Sequence, residues 1–172
     1  IEDMMGALSM FTQAPIKVGD LCQYGTIRGT IEDIGLRSTR VRTLSNTLVH
    51  IPNARIANLE IENFTQRTMI RYWPTLRLRY DISPAQIREL TANILEMMQQ
   101  DERVHDDPLR VRFTDFDEDA ILIKVNAFLK TTDFPESLEI GEQLNLRIME
   151  IVNAAGAEFA LPGRAIYMED DK

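Results

Sequence analysis

Between residues 16 and 66, apolar side chains come in short runs rich in Ile, Val and Thr. They are broken by Gly19, Gly25, Gly29, Gly35 and the Pro52-Asn53 pair, and they show no helical period. This pattern predicts a small antiparallel β-domain of short strands. Residues 37–43 and 48–51 flank Leu44-Ser45-Asn46-Thr47, the loop of a predicted hairpin. Pro52 and Asn53 then stop the second strand, since proline cannot donate to a ladder and asparagine tolerates left-handed turns.

Beyond residue 66 the period changes. Leu76, Leu78 and Tyr80 alternate with Arg77 and Arg79, the mark of a half-buried strand. Ser83-Pro84-Ala85-Gln86 starts a helix with a serine cap, proline at the first helical position and glutamine placed for a capping box. Ile87, Leu90, Ile94 and Met98 continue it at helical spacing. Leu109-Val111-Phe113 and Ile121-Ile123-Val125 predict two strands joined by an acidic turn. Asp133 and Glu136 open a second helix whose apolar face is read as Leu138, Leu144, Ile148, Ile151 and Ala155, with Gly156 closing it. Phe159 and Ile166-Tyr167-Met168 predict short final strands. The order strand, helix, strand, strand, helix, strand is a split βαβ, ferredoxin-like sandwich with both helices on one sheet face. Residues 1–14 stand apart: Met4, Leu8 and Phe11 fall near helical spacing, and Pro15 ends that helix.

Charge sharpens this division. The 172 residues hold 19 basic and 27 acidic side chains, a net charge of −8. Residues 1–66 carry 6 basic and 7 acidic groups, whereas 67–172 carry 13 and 20. An acidic balance argues against general nucleic-acid binding. A composition of 44% hydrophobic and 27% charged residues belongs to a folded chain. The single cysteine, Cys22, excludes an internal disulfide and suits a reducing compartment. No apolar run approaches the roughly 20 residues of a membrane span. The chain starts at Ile1 and reads as a fragment of something longer.

Candidate chemistry is sparse. Asp115, Asp117, Glu118 and Asp119 are dense in carboxylates but lack the glycine and distal glutamate of a calcium loop, so a solvated turn is the better reading. His50 and His105 lie far apart, without zinc-ligand spacing. Cys22 has no indicated base and reads as a small hydrophobe. Gly25-Thr26-Ile27-Arg28-Gly29 matches neither dinucleotide nor P-loop fingerprints, and its glycines read as strand bends. No catalytic set, cofactor site or metal site emerges. One basic feature does. By strand parity Arg77, Arg79, Arg110, Arg112 and Lys124 project from the sheet face opposite the apolar stripe. Sheet-face RNA binders add exposed aromatics, for which Phe128 is the candidate here, Tyr80 and Phe113 having apolar parity. The expected arrangement is a basic face neutralised by acidic groups of the same chain or of a partner subunit.

Several ordered motifs carry a family resemblance. Pro15-Ile16-Lys17-Val18-Gly19-Asp20 is followed by an unbroken run from Gly29-Thr30-Ile31 to Arg42-Thr43, then Ile51-Pro52-Asn53 and Glu62-Asn63-Phe64-Thr65. Leu144-Asn145-Leu146-Arg147-Ile148-Met149 and the segment from Gly156 to Pro162 complete the series. The succession resembles the small-conductance mechanosensitive channel family over nearly the whole chain. The resemblance implies an α+β architecture. Residues 1–15 would end a pore-lining transmembrane helix, 16–66 form an Sm-like β-barrel domain, and 67–172 form a ferredoxin-like α/β-domain. It implies family-motif positions in the β-domain at Gly19, Asp20, Gly29, Arg37, Thr39, Arg42, Pro52, Asn53 and Asn63.

It further implies a non-enzymatic, tension-gated pore in the inner membrane, with this segment on the cytoplasmic side. Seven copies would form a hollow cage passed by ions and small osmolytes under hypoosmotic stress. The tail Glu169-Asp170-Asp171-Lys172 lacks an extended strand for the C-terminal barrel of some relatives. Arg37, Arg40 and Arg42 are expected to bridge to acidic groups next door. Arg67, Arg71, Arg77, Arg79, Arg110 and Arg112 are expected near portals or vestibule. Two alternatives compete: a nucleic-acid-binding module joining Sm-like and ferredoxin-like folds, and a metal-dependent enzyme using the Asp115–Asp119 cluster.

Overall fold

The computed structural model describes residues 16–161. The chain divides into two compact units, Ile1–Arg67 and Thr68–Lys172, each with its own apolar core. The helix expected over 1–14 and the strand expected at Ile166-Tyr167-Met168 lie outside the described residues.

The first unit contains β1 (Leu21–Tyr24), β2 (Ile27–Ile34), β3 (Ser38–Thr43), β4 (Leu48–Pro52), α1 (Asn53–Ile56) and β5 (Ile61–Asn63). All pairings are antiparallel, in the order β4-β3-β2-β1-β5. Alternation sorts the side chains: in β3, Thr39 and Val41 point inward while Arg40 faces water. The core gathers Ile16, Cys22, Tyr24, Ile31, Val41, Ile51 and Ile56. Tight turns fall where φ is positive, at Gly25 (φ 58°) between β1 and β2 and at Asn46 (φ 62°) in the expected β3–β4 loop. Gly29 serves a different purpose: a Cβ there would meet the Arg42 carbonyl oxygen at 2.3 Å, so only glycine lets β2 and β3 approach. Asn53 does not make the expected left-handed turn. It opens α1, because its buried amide is held by bonds described below. The expected barrel takes the form of a five-stranded sheet, and no ladder joins β4 to β5 among the described residues.

The second unit contains β6 (Ile70–Tyr72), β7 (Thr75–Leu78), α2 (Pro84–Gln99), β8 (Val104–Phe116), β9 (Ile121–Leu129) and α3 (Phe134–Ala154). β6 and β7 follow one another along the same edge of β9 in one register, from Ile70↔Leu129 to Leu78↔Ile121. Trp73-Pro74 interrupts them, although the Pro74 carbonyl still accepts from Val125 N–H (3.1 Å). β8 pairs with the other edge of β9, and Phe159 bridges antiparallel to Leu78. The lateral order is therefore last segment, β6/β7, β9, β8, the ferredoxin-like arrangement expected from the sequence.

Leu90, Ile94 and Met98 of α2 and Leu144, Ile148 and Val152 of α3 pack on the apolar sheet face. Ser83 and Gln86 form the reciprocal capping box, and Gly156 takes the left-handed conformation (φ 66°) after α3. Three details differ from the sequence reading. Asp133 precedes α3 without a side-chain cap bond. Tyr80 lies beyond the end of β7 and is 51% exposed, its hydroxyl donating to the Asp117 carbonyl. Leu138 is 58% exposed, because the buried arc of α3 runs through Ser137, Ile140 and Gly141, where Gly141 lies against the Tyr72 ring.

Candidate functional site

The β-domain motif residues form joints. Thr39 is fully buried, and its hydroxyl donates to the Asn53 side-chain oxygen (2.9 Å). The Asn53 amide donates to the Gly35 carbonyl (2.8 Å), and its backbone N–H donates to Arg37 O (2.9 Å). One asparagine thus clips the end of β4 to the β2–β3 turn. Asp20 does similar work, its carboxylate accepting from Lys17 N–H and from the Asn63 side chain (2.8 Å), which ties the start of β1 to β5. Gly19 (φ 95°) makes the preceding turn, and its N–H donates to Ile31 O. Pro52 ends β4. Arg42 holds Glu32 with two nitrogens (2.6 and 3.1 Å) and Arg40 holds Asp33 (3.2 Å), so both are paired within the chain. The antiparallel β2–β3 register brings each of these two arginines to an acid of its own chain. Arg37 is exposed and makes no ion pair among the described residues.

The expected basic sheet face divides in two. Arg77 holds Asp117 (2.5 Å) and Asp119, and Arg79 holds Asp81 (2.7 Å) and Glu158 (2.5 Å). The Glu118 backbone N–H and then Arg77 hold the Asp117 carboxyl below its ordinary range. Two carboxylates of the dense acidic turn are thereby engaged. By contrast Arg110, Lys124, Arg71 and Arg112 make no ion pair among the described residues. Arg112 and Lys124 are direct cross-strand partners, and Arg110 sits opposite Asn126. Arg71 donates to Asn126 Oδ1 (2.9 Å) and lies over the Trp73 ring at 4.2 Å. Like charges directly opposite one another on adjacent strands are destabilising, so this row of cations is a feature that folding alone does not explain. Arg67 is half-buried at the boundary of the units. The pairings of Arg77 and Arg79 could not be read from parity, because loop acids supply them. The partly buried Phe128 lies opposite Arg71.

Nucleophile chemistry gets no support from Cys22. The side chain is fully buried, and burial pushes its thiol pKa up, as it does the neighbouring Tyr24 hydroxyl. His105 turns Nδ1 toward its own strand, 2.7 Å from Asp107 O.

A second surface is apolar. On α3, Phe134, Leu138, Leu146 and Met149 stand exposed and, with Trp73 (65% exposed), line a groove of about 860 Å³. Large apolar side chains clustered at a surface mark an interaction site.

Sequence comparison places this architecture. The family model for the mechanosensitive ion channel beta-domain matches residues 1–66, and that for the mechanosensitive ion channel MscS C-terminal domain matches residues 75–159. The chain belongs to the MscS family. An MscS family protein of Aquifex aeolicus is 35% identical over 169 residues, covering 98% of this chain and 46% of the relative. The small-conductance mechanosensitive channel MscMJ of Methanocaldococcus jannaschii is 29% identical, covering 99% and 49%. The low conductance mechanosensitive channel YnaI of Escherichia coli is 28% identical, covering 99% and 50%. The chain thus spans about half the length of the curated MscS relatives it matches. Among solved structures, Arabidopsis thaliana MSL1 A320V superposes with a TM-score of 0.84 at 18% identity, over 91% of this chain and 59% of that one. Helicobacter pylori MscS in its closed state gives 0.79 at 19% identity, over 98% and 65%. At that identity these structures speak for the MscS fold alone. No helix among the described residues is long and apolar enough to cross a membrane.

Proposed function

We propose that this chain is the wall of a water-filled vestibule on the cytoplasmic side of a tension-gated channel, through which ions and small osmolytes leave the cell under hypoosmotic stress. The observation that carries the reading is the succession of both MscS family domains along one chain, in order, from residue 1 to residue 159. Upstream helices of the parent polypeptide supply the inner-membrane pore, and seven copies close a ring. The domains act as a lining and perform no catalysis. The exposed groove of α3 and Trp73 supports assembly, because a neighbouring copy seated there removes from water the apolar side chains that the monomer leaves wet. The cations Arg71, Arg110 and Lys124, which make no ion pair among the described residues, support a role in permeation, since a ring of like charge biases which ions a pore admits. In this reading they draw anions into the vestibule, while Arg77 and Arg79, neutralised by loop acids, contribute little.

The test is patch recording from liposomes holding the full-length parent. Suction is expected to open a conductance whose probability rises steeply with membrane tension. A parent protein that inserts and assembles yet passes no tension-activated current overturns the reading.

A further inference from the structure

The α/β-domain contains a second cleft, of about 450 Å³, between α2 and the edge strand β8. Its size lies within the range of small-molecule sites. The floor is the buried pair Val111 and Ile121, and Ile87 of α2 forms one side. Three aromatic rings frame the opening. Phe116 packs edge-on against Phe113 (centroids 4.9 Å, interplanar 89°) and lies parallel to Tyr80 (6.3 Å, 5°). The Tyr80 hydroxyl donates to the Asp117 carbonyl, which fixes that ring on the loop after β8. Phe116 is nonetheless 69% exposed, a large apolar ring held at a rim with nothing over it among the described residues.

Charge at this cleft runs against the rest of the molecule. Among the described residues its lining includes Arg88 and Arg112 and no Asp or Glu, although the chain carries 27 acidic residues against 19 basic ones. Neither guanidinium makes an ion pair among the described residues. Arg112 turns back to donate to its own strand's Val111 carbonyl (2.9 Å), leaving its other N–H groups available. We infer that this cleft binds a small aromatic acid: a flat ring body against Phe113, Phe116 and Tyr80, and a single carboxylate between Arg88 and Arg112. Ring stacking suits the body, and the fork of a guanidinium matches the paired oxygens of a carboxylate. The inference stands on the cleft alone and does not depend on the channel reading.

The probe is 2-naphthoate, titrated into the 172-residue chain and followed by amide chemical shifts. Saturable binding is expected at one site per chain, with shifts centred on Ile87, Arg88, Val111 and Phe116. The uncharged 2-naphthylmethanol should bind at least about tenfold more weakly, a difference of about 1.4 kcal/mol. Arg88→Gln and Arg112→Gln should each weaken the acid several-fold while leaving the alcohol unchanged, a split that general loosening of the domain does not produce. Phe116→Ala should weaken both. Shifts elsewhere on the chain, equal binding of acid and alcohol, or indifference to both arginine substitutions each overturn the inference. So does a cleft whose signals respond only to protein concentration, which would mark it as a contact between copies.

Discussion

In the β-domain, Thr39 and Asn53 are bonded to each other beneath the surface, and Arg40 and Arg42 each hold an acid on the facing strand. In the α/β-domain, Arg112 and Lys124 are direct cross-strand partners, and neither makes an ion pair among the described residues. The first region is dense in recognisable motifs, yet the side chains of Asp20, Thr39, Asn53 and Asn63 bond to one another or to backbone within it and tie its strands together. The second shows fewer motifs, yet it leaves cations, an apolar groove and an aromatic cleft available to water. A recognisable motif therefore marks where the backbone is hardest to build, and the surfaces fit for a partner or ligand lie elsewhere.

The comparison breaks most readily at Asn53. Asn53→Ala leaves the buried Thr39 hydroxyl without its acceptor and should cost about 1–3 kcal/mol in urea unfolding. A cost near zero would mean the clip is ornamental. A charged counterpart in the α/β-domain is Asp101, which is 8% exposed and accepts from Arg103 (Nε 2.9 Å) and Arg147 (3.4 Å). These partners, Arg103 first, hold its carboxyl below the ordinary value. The resulting stability is present above the unfolded carboxylate pKa of about 4 and is lost as pH falls through the lower folded value. Asp101→Asn should lower stability by roughly 1–2 kcal/mol near neutral pH, with the gap to the parent narrowing in acid melts.

Lys124→Glu should reverse the sign of the usual outcome for a mutation. By placing an acid opposite Arg112 it should stabilise the chain by about 0.2–1 kcal/mol, while in the proposed full-length channel the reversal potential in asymmetric salt should shift toward cation preference. Destabilisation with an unmoved potential would return Lys124 to the ordinary surface. The smallest effect is expected at Glu32, whose exposed pair with Arg42 should be replaceable by glutamine without a measurable change in melting temperature.

Regular alternation and caps made much of the fold legible. Leu76 and Leu78, the Ser83–Gln86 box, the Ile121-Ile123-Val125 strand and the glycine after α3 each stand as the pattern predicts. Other features depended on contacts that no local period encodes. β6 is cut from β7 by Trp73-Pro74, so neither piece shows a long alternation. The first residues of β8 were hidden because its register slips between His105 and Arg110. Tyr80 keeps apolar parity but outlasts its strand, and Leu138 has helical spacing but falls outside the arc that Ile140 and Leu144 bury. The cations of the sheet face were visible by parity, whereas the acids that reach Arg77 and Arg79 come from loops.

The facing pair of Arg112 and Lys124 also ties this lobe to its solution. Repulsion between exposed charges fades as the Debye length shrinks from about 10 Å at 0.1 M salt to about 3 Å at 1 M. Dilution should therefore slacken the sheet and concentration tighten it, so that the lobe answers to ionic strength through its own backbone ladder. A thermal melt repeated across a salt series reads that response, and Lys124→Glu should invert its slope.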